Sequence, residues 1–177
     1  MAAIVRLYYP ADPFGRLICW RLESAFSHAT IELDGTLYSA TFPRIVGVGP
    51  TDRSFGMPPR TGQSYAIRLT DEETAKAVMY CQSMLGTSYD VLAMFGWAFR
   101  IQSMQRPGHA YCFEYVYDAL AAAGVFASSR RLVTGDQLLA DLYAAGRVEN
   151  LTTCIGTERL ASHQKPAVVV PAPKVNP

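Results

Sequence analysis

The first part of the chain alternates apolar and polar side chains with a period of two, in short runs separated by turn formers. IVRLYY (4–9), HATIEL (28–33), TLYSAT (36–41), RIVGVGP (44–50) and SYAIRL (64–69) are the strands this pattern predicts. Between the first two, PADPFG leads into a helix from Gly15 to about Ser24. Leu17, Ile18, Trp20 and Leu22 give it an apolar side, flanked by Arg21. The stretch TDRSFGMPPRTGQ is dense in turn formers and reads as a loop. Beyond it the period lengthens to that of helices. Thr70 followed by Glu73 is a capping box, opening a helix that runs toward Gly86. VLAMFGWAF suggests a short buried helix, RIQSMQRPGHA a loop, and YCFEYVYDALAAAG a helix. In that helix Cys112, Tyr115, Val116, Ala119, Leu120 and Ala123 face inward, with Glu114 and Asp118 outward. A last helix is expected over Thr134–Ala145. Strands concentrated early and helices late predict an α+β domain with an antiparallel sheet over residues 1–160. The Pro/Val-rich residues 161–177 lack any period and read as an extended tail.

Asp34-Gly35 between two alternating runs is a strong hairpin signal, and it fixes a register. With a two-residue turn Leu33 pairs with Thr36, so His28 faces Thr41 and Thr30 faces Ser39. His28, Thr30, Glu32, Ser39 and Thr41 then share one face, while Ala29, Ile31, Leu33, Tyr38 and Ala40 face the core.

Lys and Arg number 16 against 15 Asp and Glu, a net charge of +1 that gives no reason to expect nucleic acid or an anionic surface as partner. No apolar run approaches the roughly 20 residues of a membrane-spanning helix. The N-terminus lacks the basic start and long apolar core of a secretory signal, which points to the cytoplasm. Cys19, Cys81, Cys112 and Cys154 stand far apart, without metal-ligand spacing, so no metal and no cofactor is expected.

One cysteine is placed differently from the rest. Cys112 opens a helix, where unsatisfied N–H groups favour a thiolate, and His28 opens a strand that can pack beneath that helix. Thiol catalysis needs this pair, with a third polar residue to orient the ring. Ser39 is the candidate for that place, and Thr41 and Glu32 are substitutes. His109, in the loop before Cys112, is a competing base.

The run FGRLICWRLESAFSHATIELDGTLYSAT resembles the opening of the circularly permuted NlpC-type papain-like proteins, the YiiX-like group. LGTSYDVLAMFGW is similar to that group's Gly-x-x-Tyr-Asp segment, YCFEYVYDALAAAGV to its Cys-x-Glu helix, and RLVTGDQLLADL to the segment that follows. The matches run in order over residues 12–142. The chain departs from the group in carrying Phe113 where Ser is frequent, and Ser39 where Glu or His usually stands. The resemblance implies a permuted papain-like fold, with an antiparallel sheet packed against the cysteine-bearing helix. It implies a thiol hydrolase, an amidase or endopeptidase acting through Cys112 and His28, with cell-wall peptide as the usual substrate. Two alternatives go with it: a lipid acyltransferase or thioesterase, and a weakly active or non-catalytic module in an assembly such as a bacteriophage tail, where the C-terminal tail would meet a protein partner in the virion. Cys112 is expected to be the reactive thiol, with Cys19, Cys81 and Cys154 inert.

Overall fold

The computed structural model describes residues 2–49, 61–93, 96, 101, 106, 108–129 and 132–155. The tail at 161–177, most of the loop expected after Gly49 and most of residues 94–107 lie outside them. A six-stranded antiparallel sheet carries the molecule, in the order β4-β3-β2-β1-β5-β6. β1 (Ala2–Tyr8) is central, between β2 (His28–Leu33) and β5 (Gly62–Arg68). β3 (Thr36–Ala40) and β4 (Ile45–Val48) extend one side, and β6 (Val148–Ile155) closes the other.

The hairpin register is the expected one: Ile31 pairs with Tyr38, Glu32 with Leu37 and Leu33 with Thr36. Asp34 and Gly35 both take positive φ, 48° and 73°, as a two-residue turn of the type matched to strand twist requires. Ala29, Ile31, Leu33, Tyr38 and Ala40 lie in the core, as do Val5, Leu7, Tyr65 and Ile67 of the neighbouring strands. β6 was not expected. It pairs only with β5, through a register broken at two places, and its sequence VENLTTCI alternates weakly.

Four helices are described in full. α1 (Pro13–Leu22) is capped by Asp12, whose carboxylate accepts from the Gly15 N–H at 2.7 Å. Its one buried residue is Gly15, and of its apolar side Leu22 packs against the core while Leu17 and Trp20 are exposed. α2 (Asp71–Ser83) begins with the expected capping box: Thr70 Oγ1 accepts from the Glu73 N–H, and the Glu73 carboxylate accepts from the Thr70 N–H. That cap and the Arg147 guanidinium, which donates to the same carboxylate, hold the Glu73 pKa below its usual range.

α3 (Cys112–Ala122) packs on β2, β3 and α2, and α4 (Gly135–Ala144) starts at the Thr134 cap. α3 is buried almost all round, every residue from Cys112 to Tyr117 being inaccessible. Glu114 therefore does not face solvent as its spacing suggests, being only 2% exposed, and Asp118 is half-buried. α2 covers that side through Tyr80, whose hydroxyl donates to Asp118 Oδ2 at 3.4 Å. Burial, followed by the charges of Asp118, Cys81 and Glu114, raises the Tyr80 pKa far above its usual value and keeps the hydroxyl protonated.

Candidate active site

The β2–β3 hairpin assembles half of the site. A register fixed by the Asp34-Gly35 turn carries Ser39 to the His28 imidazole, and Nε2 lies 3.0 Å from Ser39 Oγ. Both residues are buried, Ser39 completely. Tyr8, paired with His28 across β1, lies beside the imidazole with ring centroids 5.7 Å apart. Next along the same face the Tyr8 hydroxyl meets Thr30 Oγ1 at 3.3 Å, and the buried Arg6 guanidinium pairs with Glu32. Glu32 is therefore committed to Arg6. Of the third residues considered, Ser39 is the one bonded to the ring at Nε2.

The thiol comes from the other layer. Cys112 is the first residue of α3, set by an extended Tyr111 whose carbonyl accepts the first helical bond from Tyr115 at 2.9 Å. Tyr111 brings no capping oxygen to the first turn, because its hydroxyl reaches away to donate to the Val133 carbonyl at 3.0 Å. The positive end of the helix is thus directed at the thiol rather than closed by its own cap. Phe113 fills the space over Gly135, where an added Cβ would stand 3.0 Å from its ring. The bulk at this position has a packing partner.

A third residue completes the arrangement. The Tyr89 hydroxyl neighbours Cys112: both residues line one groove, and the Cys112 thiol acts on the pKa of the hydroxyl. It is held there by its own segment. Tyr89 bridges to Ala110, and the buried Asp90 accepts from the Ala93 N–H at 3.0 Å and the Arg106 N–H at 2.9 Å. Asp90 thus ties the strand before Cys112 to the turn after Tyr89. Burial, then the neighbouring Cys112 thiol, keeps the Tyr89 hydroxyl protonated well above its usual pKa. It remains a donor at any physiological pH.

The other thiols sit differently. Cys81 is buried, and burial pushes its pKa up to about 12. Cys19 is half-buried, and burial together with the Asp136 charge raises it. The Cys154 side chain lies outside the described residues. His109 lies in the turn ahead of α3, its N–H donating to the Arg106 carbonyl at 3.3 Å.

Cys112 also lines a groove of about 410 Å³. Tyr89, Arg21 and Ser27, the residue before His28, are polar residues of its lining. Phe14, Leu17, Ile18 and Trp20 of α1 line it as well, with Val91 and Ala93. The apolar side of α1 thus borders the groove, with Leu17 55% and Trp20 75% exposed.

Among the described residues, no group of three or more His, Cys, Asp or Glu could hold a metal ion, and no helix is long and apolar enough to cross a membrane. No protein-family model and no curated protein matches the chain. The sequence placed Tyr89 in a motif and gave it no role. Its signal was the dipeptide Tyr-Asp: a buried Asp that accepts two backbone N–H groups fixes whatever precedes it.

Proposed function

We propose that the protein is a thiol hydrolase with a permuted papain-like arrangement, in which Cys112 attacks an acyl carbon and His28 moves the proton. The observation that carries this reading is Cys112 at the start of α3 with the Tyr89 hydroxyl beside it, while the buried His28 is held by Ser39 on the hairpin against which α3 packs. One polar donor beside a nucleophile and a backbone N–H at a helix start is what a tetrahedral oxyanion needs.

The chemistry follows from the contacts. His28 meets Ser39 through Nε2, so proton exchange with the thiol falls to Nδ1. For Nδ1 to accept a proton, the neutral ring must carry its hydrogen on Nε2, donating to Ser39 Oγ. Ser39 thereby selects the tautomer, although as a neutral group it lends the imidazolium no countercharge. An entering carbonyl oxygen accepts from the Cys112 N–H, and the Tyr89 O–H turns to donate to it.

The test is acylation by p-nitrophenyl acetate, read as nitrophenolate release and as an acetyl group on the Cys112 peptide by mass spectrometry. The wild type should form the adduct, and Cys112→Ala and His28→Ala should not. An adduct absent from the wild type, or found on another cysteine, refutes the proposal. The neutral Ser39 favours a second reading, a domain retained for binding within an assembly such as a bacteriophage tail. On that reading Cys112 alkylates no faster than an ordinary thiol, and His28→Ala changes nothing.

A further inference from the structure

Resting on the thiol-hydrolase reading, we propose that the groove beside Cys112 binds a linear fatty acyl chain, so that the bond cleaved is a long-chain acyl ester rather than a peptide amide. Three observations carry this. The groove is lined by Cys112 together with Phe14, Leu17, Ile18, Trp20, Val91 and Ala93. Its volume of about 410 Å³ falls within the range of small-molecule sites. Its polar lining residues besides the thiol are Ser27, Tyr89, Arg21 and a Tyr111 whose hydroxyl is taken by the Val133 carbonyl, and the rest of its lining is hydrocarbon. A peptide laid along such walls would bury amide N–H and C=O groups against side chains that cannot bond them. An alkyl chain asks for no such partner. α1 also keeps Phe14, Leu17 and Trp20 exposed, and these side chains gain a function in lining the groove for the chain.

The reaction balances with water alone. Cys112 Sγ bonds to the ester carbon, the C–O bond breaks, and the alcohol leaves with the proton that His28 took from the thiol. Water then attacks the thioester and gives a proton to His28. The C–S bond breaks, and the thiolate recovers that proton as the fatty acid departs.

Two measurements separate this proposal from the reading beneath it. The first is kcat/KM for p-nitrophenyl esters from acetate to octanoate, all below their micellar concentrations. Burial of each added methylene should raise it about fourfold, and Leu17→Asp should flatten the slope. The second uses Cys112→Ala and a terminally brominated fatty acid, whose bromine quenches tryptophan emission. Quenching should saturate, and Trp20→Phe in the same background should remove it. A flat chain-length profile with no saturable quenching overturns the acyl-chain assignment, even where acetate still acylates Cys112. Saturable quenching by the inactive variant, with no ester turned over by the wild type, upholds the groove as a chain site and sinks the hydrolase reading instead. Faster acylation by a peptide amide than by octanoate also overturns the assignment.

Discussion

Replacing Ser39 by Ala isolates its hydrogen bond to the imidazole. The substitution removes an oxygen 3.0 Å from His28 Nε2 at a fully buried position, and the lost atom leaves too little space for water to take its place. In the resting site the bond joins neutral groups and contributes about 0.5–1.5 kcal/mol. Once His28 takes up the thiol proton the donor is charged, and the same bond is worth about 1.5–3 kcal/mol. Only the difference, about 1–1.5 kcal/mol, is felt in the rate, so acylation of Cys112 should slow about five- to twelvefold. The assay is pseudo-first-order acylation by p-nitrophenyl acetate at pH 7, with a thermal melt to confirm that the fold persists. Ser39→Asp should act in the opposite direction if the melt survives, because a carboxylate supplies the missing countercharge. An unchanged rate in Ser39→Ala would show that the contact does not orient the ring. A loss of about a thousandfold with an unaltered melt would equally refute the reasoning, since no neutral hydrogen bond carries that much.

Tyr89→Phe should lower acylation by about a hundredfold or more while leaving alkylation by iodoacetamide nearly unchanged, because the oxyanion donor is lost and the thiol is not; parallel losses in both assays would mean the hydroxyl acts on the thiol itself. Gly135→Ala places a Cβ 2.7 Å from Phe26 Cβ and 3.0 Å from the Phe113 ring, so urea denaturation should show about 1–3 kcal/mol of lost stability. Cys81 and Tyr65, with folded pKa values raised to about 12 from ordinary values of 9.0 and 10.0, keep their protons where the unfolded chain has released them. Their contribution is complete below about pH 9 and is lost as pH climbs toward 12, so the urea midpoint should fall over that window, and less steeply in Cys81→Ala.

What could be read from the sequence was whatever neighbouring residues decide among themselves. The Asp34-Gly35 turn fixed the pairing of β2 with β3, and hence the meeting of His28 with Ser39, because both strands leave the same two residues. Thr70 and Glu73 satisfy each other within one turn, and that cap was equally legible. β6 was not, since its only partner lies some eighty residues back and its own alternation is weak. The period of α3 sent Glu114 outward, yet α2 covers that face, and no local pattern announces a second layer. The apolar side of α1 was legible as such, but no local pattern says that it borders a groove. The place of Tyr89 depended on Asp90 catching backbone from residues 93 and 106, a closure invisible until the chain is folded.

The central position of β1 bears on the order in which the molecule forms. Hairpins such as β2–β3 close over a few residues and form within microseconds, so His28 and Ser39 can meet almost as soon as they exist. β1 must wait for β5, a partner more than fifty residues further on, before the sheet has a middle. α3 packs on the β2–β3 hairpin and on α2, and its cysteine lies more than seventy residues beyond Ser39, which makes the thiol the last arrival. A chain still emerging from synthesis would then hold an oriented imidazole and no nucleophile beside it. Reactivity at Cys112 should appear in one step with that packing, and the rate at which it appears during refolding offers a direct clock for docking of α3 on the hairpin.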